Sequence, residues 1–206
     1  MQAAVVAAVA AANMVTIMRI LALQRSVLTV FSGNINAMEG EALENVWYAT
    51  RYQSLPRVAE EQLRLAGQSY LNDVKAEMHL ALAKAVAPNN LVVHVGEYRY
   101  YFYKNRLNEA LKVAESCLTL VSAELGIPPK WDQVMPEHAS FESDDPALRF
   151  YLFVLKAYAY LLLRLSRIAE GTLVADKLLE LDSENKIGGK LLLDVVSRMD
   201  KDDYDD

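Results

Sequence analysis

From Arg57 onward, the apolar residues of this chain fall into paired helical stretches whose ends recur at a fixed interval. This register defines three units of 34 residues: Arg57 to Asn90, Leu91 to Glu124 and Leu152 to Asn185. In the second half of each unit the apolar residues recur every three or four positions, which is the spacing of one helical face. Repeats of this length predict similar helical hairpins stacked side by side. The repetition therefore predicts an all-α protein.

The same register places small side chains where the two helices of a hairpin must approach each other closely. The twentieth positions of the three units are Ala76, Ala110 and Gly171, and they fit best. The twenty-seventh positions are Ala83, Cys117 and Leu178, of which only Leu178 is large. This pattern and the period resemble the tetratricopeptide repeat, in which the eighth position is also small. That position departs from the pattern at Arg64 and Tyr98 and keeps it at Ala159. The resemblance implies antiparallel hairpins stacked as a short right-handed superhelix, and a generic array of helical hairpins is the alternative.

The strict period is interrupted between the second and third units by residues 125–151, which hold four of the six prolines. Asp145 and Pro146 predict a helix start inside this insertion, because Asp caps free amides and Pro at the first helical position loses no hydrogen bond. The third hairpin should therefore begin near Pro146. The residues before it predict an exposed loop, in which Trp131, Met135 and Phe141 either pack on the body or contact a partner.

The N-terminal segment, residues 1–34, lies outside the repeats. Its first part, Met1 to Met18, carries no charge, and the first positive charge, Arg19, follows this apolar stretch, which disfavours a secretory signal. We interpret the segment as an apolar helix that packs on the body, as an oligomerisation or anchor segment, or as sequence ahead of the true translation start.

The helical domain is expected to span residues 35–199. Its last part, residues 186–199, carries apolar residues on one side and predicts a helix that covers the end of the last hairpin. Residues 200–206 are rich in Asp and predict an acidic, disordered tail.

Charge and side-chain chemistry favour binding over catalysis. The formal net charge of −6 disfavours nucleic-acid binding, because contacts to phosphates need clustered Lys and Arg. The three histidines do not share a helical face, so we predict no metal site and no cofactor. The sequence also lacks a nucleophile elbow and a phosphate-binding loop, and we predict no enzyme. The single cysteine, Cys117, is interpreted as a buried thiol in the reducing cytoplasm.

The repeat resemblance also implies where a partner would bind. In tetratricopeptide arrays, fixed positions on the first helix of each unit line the inner, concave face. Those positions yield the candidate residues Val95, Arg99, Phe102, Tyr103, Lys156, Tyr160 and Arg164. Aromatic rings with a few cations suit a peptide that carries apolar anchors and an acidic group. The competing interpretation is that the tyrosines of residues 98–103 fill helix interfaces and that the cations face solvent.

Two functions are compatible with these sequence features. The first is a non-catalytic protein interaction module, an adaptor, scaffold or chaperone-like protein, that binds a peptide segment of a partner protein in the concave face. The alternative is a structural subunit or homo-oligomer assembled through the apolar N-terminal helix. A membrane partner is disfavoured, although that helix leaves it open.

Overall fold

The protein is all-helical over the residues that its structure describes. The computed structural model describes the backbone of residues 54–202 and the side chains of residues 54–197, so the predictions for residues 1–53 and 203–206 lie outside it. The helices of this part are α1 (Arg57–Gln68), α2 (Asp73–Val86), α3 (Leu91–Tyr103), α4 (Leu107–Leu125), α5 (Pro146–Arg164), α6 (Ile168–Leu181) and α7 (Lys190–Asp202). No strand occurs among these residues, and the all-α prediction is confirmed.

Six of these helices form three successive hairpins. α1 packs against α2, α3 against α4, and α5 against α6. Turns of three or four residues join the partners of each pair, which makes them antiparallel neighbours. The second hairpin packs against the third through α4 and α5, and α7 packs on α6.

The second and third hairpins turn with the same backbone conformation. Asn105 and Ser166 have φ angles of 56° and 59°, in the left-handed region. In each turn the next N–H donates to the carbonyl five residues earlier: Arg106 to Tyr101 at 2.8 Å, and Arg167 to Leu162 at 2.9 Å. This closure satisfies carbonyls left free at a helix end. Asn105 and Ser166 are 61 residues apart, which is one 34-residue period plus the 27 residues of segment 125–151.

The main hydrophobic core lies between the second and third hairpins. α5 supplies its largest fully buried side chains: Tyr151, Leu152, Leu155, Leu161 and Leu162. α5 is also long and apolar enough to cross a membrane, but 56% of its most apolar stretch is buried inside the protein. Its apolar composition is therefore explained by its central position. The first hairpin contributes to two smaller clusters that it shares with α3.

The connection between α4 and α5 is packed on the body and ends at the helix start predicted at Pro146. α4 continues to Leu125 and α5 begins at Pro146, so the connection spans residues 126–145. Asp145 caps α5 as predicted, with its Oδ1 accepting from the amides of Ala147 at 2.9 Å and Leu148 at 3.0 Å. Phe141 is buried against Tyr151, whereas Met135 is 41% exposed.

The final helix begins four residues later than predicted. Asp182 accepts hydrogen bonds from the amides of Lys186 at 3.0 Å and Ile187 at 2.7 Å, which holds residues 182–187 in a turn. Gly188 follows with a φ of 75°, a value that interrupts a right-handed helix. The prediction of a helix from residue 186 was therefore wrong at its start. The tail prediction was also wrong for residues 200–202, because α7 continues to Asp202.

The hydroxyl of Tyr151 supplies a test of the core. This side chain is fully buried, its hydroxyl has no hydrogen-bond partner, and burial raises its pKa. Tyr151→Phe should change the free energy of unfolding by less than about 1 kcal/mol, and in the stabilising direction, because it removes an unpaired buried hydroxyl. Urea denaturation measures this change. A clear loss of stability would mean that the hydroxyl has a partner.

Candidate partner-binding site

The structure brings together four of the seven predicted site residues. Phe102 and Tyr103 lie at the end of α3, and Tyr160 and Arg164 lie in the last part of α5. The ring centroids of Phe102 and Tyr160 are 6.1 Å apart, so the two first helices of the hairpins meet here.

Aromatic rings form the floor of this site. Tyr98 stacks on Phe102 at 5.7 Å, and Phe102 meets the edge of Tyr103 at 5.5 Å. Burial raises the pKa of Tyr98, and the nearby hydroxyls of Tyr103 and Tyr160 raise it further. We refer to Tyr98, Phe102, Tyr103 and Tyr160 as the aromatic cluster. All four rings are half-buried, so each retains some surface in contact with solvent.

An oriented arginine lies at the edge of the aromatic cluster. Arg164 is exposed, and its Nη1 donates to the Tyr160 hydroxyl at 2.8 Å. Its Nη2 donates to Asn105 Oδ1 at 3.5 Å, and its guanidinium lies 5.7 Å from the centre of the Tyr160 ring. A guanidinium has five N–H donors, and these contacts use two of them. Arg164 therefore presents a cation beside the aromatic cluster.

The other three predicted residues have different environments. Lys156 Nζ donates to the Ile187 carbonyl at 2.6 Å, and burial lowers the pKa of this amine against the opposing effect of Asp182. Lys156 therefore holds the turn between α6 and α7. Val95 is half-buried against the main core. Arg99 is half-buried and lies close enough to Tyr98 to lower that tyrosine's pKa.

Asn105 and the role of Tyr98 were not predicted from the sequence. Asn105 is in a turn, outside the helix positions that the repeat resemblance singles out. The available signal was its residue type, since Asn tolerates the left-handed region better than most residues do.

Ion pairs attach the first hairpin to the second. Asp73 pairs with Lys104 at 2.7 Å, Glu77 with Arg106 at 2.5 Å, and Lys84 with Glu97 at 2.8 Å. Tyr100 also donates to Asp73 Oδ1 at 3.1 Å. Ion pairs at the surface contribute little stability individually, and salt weakens them. The attachment of the first hairpin should therefore depend on pH and on ionic strength.

We predict that the first hairpin loosens in acid before the main core does. Hydrogen bonds from Lys104 and Tyr100 hold the pKa of Asp73 below its ordinary value, so protonation below about pH 4 removes stability that is present at neutral pH. Amide hydrogen exchange, compared at pH 7 and pH 3, should show that α1 and α2 lose more protection at the lower pH than α5 does. Asp73→Asn should reduce the effect of pH on the protection of α1 and α2. An equal loss of amide protection in α1, α2 and α5 would contradict this account.

Two groups of the described part that could react, a thiol and an imidazole, are buried. Cys117 is 2% exposed, and burial raises the pKa of its thiol to about 12. His94 is buried, and its Nε2 donates to the Pro88 carbonyl at 2.7 Å. Within residues 54–197, no three His, Cys, Asp or Glu side chains lie together as a metal site needs. The absence of a cofactor and of enzyme activity stays a prediction.

Comparison with known proteins identifies a relative. A protein of Azotobacter chroococcum mcd 1 is 40% identical over 124 residues, which is 59% of this chain and 70% of that protein. This chain belongs to the same family. The relative's name, uncharacterized 19.8 kDa protein in nifW 5' region, states a gene position and no activity. No family model and no solved structure matches the chain.

Proposed function

We propose that this protein is a non-catalytic interaction module of tetratricopeptide-like hairpins that binds a peptide segment of a partner protein. The binding surface is the aromatic cluster on α3 and α5 together with Arg164. The observation that carries this proposal is the exposed Arg164 guanidinium, held by the Tyr160 hydroxyl at the edge of half-buried rings. Tyr and Arg are the residue types enriched among side chains that dominate binding energy.

The tyrosine run of α3 divides between packing and this surface. Tyr100 is 6% exposed and donates to Asp73 of the first hairpin, and Tyr101 packs beside it at 5.4 Å. These two rings therefore serve the attachment of the first hairpin, as the competing interpretation expects. Phe102 and Tyr103 lie toward α5 instead, where the solvent-facing part of each ring can contact a ligand.

A stack of hairpins in one register supports the superhelix that the repeat resemblance implies. The turns at Asn105 and Ser166 share one geometry, and each is followed by an Arg that pairs with the Glu three residues on: Arg106 with Glu109 at 2.8 Å, and Arg167 with Glu170 at 2.6 Å. Successive units of one geometry stack with a constant rotation, which produces a curved array with a concave face.

Affinity capture from lysates of the cells that naturally contain this protein tests the proposed function. Three tagged baits are compared by quantitative mass spectrometry: wild type, Tyr103→Ala/Arg164→Ala, and Lys112→Ala as a control on an exposed position of α4. The amount of each protein captured by both wild type and the control should be at least about tenfold lower with the double variant. A tenfold change corresponds to about 1.4 kcal/mol of binding free energy. If the double variant captures the same proteins in the same amounts as wild type, this surface is not the binding site.

The family relative suggests the first defined partner for direct titration. Its name places it in the nifW 5' region, so the protein that nifW encodes is the first candidate. Calorimetry should give a Kd that the double variant weakens and that Lys112→Ala leaves unchanged.

A further inference from the structure

The outer face of α2 is apolar, and the described part of the protein leaves it exposed. Its large apolar side chains range from 43% exposed at Val86 to 94% exposed at Leu71, which lies in the turn before the helix. Two exposed alanines lie among them. At about 3.6 residues per turn, these residues cover about 140° of the helix surface. We call them the α2 stripe: Leu71, Val74, Met78, Ala81, Leu82, Ala85 and Val86.

The inner face of α2 is apolar as well. Ala76, Leu80 and Ala83 are buried on it, and a helix that is hydrophobic on all sides is normally buried on all sides. This place in a hairpin does not require an apolar outer face, because α4 carries Lys112 one period after Met78. Contiguous exposed apolar surface of this kind marks a contact with another molecule.

The α2 stripe has the spacing of a coiled-coil seam. Its residues Leu71, Val74, Met78, Ala81 and Ala85 recur alternately every three and every four residues, which aligns them along one contact line between two helices. The large side chains occupy the first half of this line, and the two alanines occupy the second half. Two copies of this helix therefore fit together when they run antiparallel, with the large side chains of each facing the alanines of the other.

We propose that α2 pairs with α2 of a second copy of this chain, antiparallel about a two-fold axis. In this register Met78 faces the partner subunit's Ala81, and Val74 faces the partner subunit's Ala85. The same two contacts recur on the other side of the axis, so the interface is self-complementary. A parallel pair would instead set alanine against alanine and leave layers of the seam unfilled, which close packing disfavours.

The charges beside the α2 stripe match the antiparallel register. Glu77 and Lys84 border one side of the seam, and the register places each Glu77 beside the partner subunit's Lys84. The ion pair of Glu77 with Arg106 uses only Oε1, so a second carboxylate oxygen can accept across the interface. Lys84 donates to Glu97 at 2.8 Å, and an ammonium group has three donors. Two pairs of opposite charge therefore flank the seam.

The size of the seam predicts a dimer that forms reversibly. α2 has 14 residues and is about 21 Å long, whereas a stable interface between separate proteins uses roughly 20–30 residues on each side. The dimer should therefore dissociate on dilution. The α2 stripe shares no residue with the aromatic cluster on α3 and α5, so the dimer does not depend on peptide binding.

Sedimentation of the full chain, over about a hundredfold range of concentration, measures this dimer. Met78→Glu should raise the dissociation constant at least about tenfold, because it buries a charge in the seam. Leu173→Glu is the matched control, since Leu173 holds the same place in the third unit as Met78 in the first and is 61% exposed. It should leave the constant unchanged.

Two outcomes of this measurement would overturn the proposal. A chain that is a monomer at every concentration would assign the α2 stripe to another occupant. A dimer that Met78→Glu leaves intact would place the contact between copies elsewhere on the chain.

Disulfide trapping tests the antiparallel register. Full-length Val74→Cys and Ala85→Cys chains are oxidised separately and as a mixture, while the native Cys117 is 2% exposed and out of reach of a second copy. A disulfide needs Cα atoms within about 7 Å. The register predicts disulfides between unlike chains only, because each new cysteine lies about 16 Å along the helix from its own copy in the partner. Disulfides between like chains, or none in the mixture, would overturn the register.

Discussion

Gly171→Leu should lower the free energy of unfolding by about 3 kcal/mol. A Cβ added at Gly171 would lie 2.6 Å from Leu163 Cδ2, 2.7 Å from its Cγ and 3.1 Å from its backbone nitrogen. The backbone of α5 cannot move away without disturbing the main core, and overpacking of this kind typically costs about 1–3 kcal/mol, occasionally more. Gly171 holds the twentieth position of the third unit, where the repeat resemblance requires a small residue.

Gly67→Leu is the matched control for this prediction. Gly67 is an exposed residue near the end of α1, and a Cβ there has nothing within 4 Å. Replacing a helical glycine should raise the free energy of unfolding by about 0.5–1 kcal/mol. Both values come from urea denaturation of the full chain. If Gly171→Leu stayed within about 0.5 kcal/mol of wild type, the close contact between α5 and α6 would be disproved.

Asp182→Ala should destabilise the protein by about 3–5 kcal/mol. Asp182 is 1% exposed, accepts two backbone hydrogen bonds from the turn before α7, and lies 4.0 Å from Arg149 Nη1. Arg149 is itself 5% exposed, and its Nε and Nη1 have no hydrogen-bond partner. Removal of the carboxylate would leave this buried cation without a counter-charge, which is the costly way to break a buried ion pair.

A double substitution separates the charge effect from the loss of the turn. Asp182→Ala/Arg149→Met removes both charges and should recover part of the stability that Asp182→Ala loses, because an apolar side chain replaces an uncompensated cation. Chemical denaturation of the two variants measures the difference. Equal stability of the single and double variants would show that Asp182 acts through its backbone hydrogen bonds alone.

The helical fold could be predicted from the sequence because its signals are local. The spacing of apolar residues indicated the hairpins, and Asp145 with Pro146 indicated the start of α5. The start of α7 could not be predicted in this way, because it depends on distant packing. A Cβ at Gly189 would lie 2.6 Å from Leu178 Cδ2, so the chain passes too close to α6 at this point for a larger residue.

The candidate site was predicted only where the repeat register fixes helix faces. Phe102, at the twelfth position of the second unit, and Tyr160, at the ninth position of the third, have ring centroids 6.1 Å apart, so the register brought α3 and α5 together at positions that are not equivalent. Lys156 could not be assigned from the sequence, since its partner is the Ile187 carbonyl, 31 residues further on. Asn105 joined the site through the turn geometry that places its Oδ1 near Arg164.

Site-specific photo-crosslinking in the producing cells tests the central claim most directly. A photoreactive phenylalanine analogue is introduced in place of Tyr103 in one chain and in place of Lys112 in another. The proposed function predicts a discrete crosslinked protein from position 103 that is absent from position 112, because of these two positions only 103 belongs to the aromatic cluster. A crosslinked partner that forms from position 112 and not from position 103 would contradict the claim that α3 and α5 hold the partner.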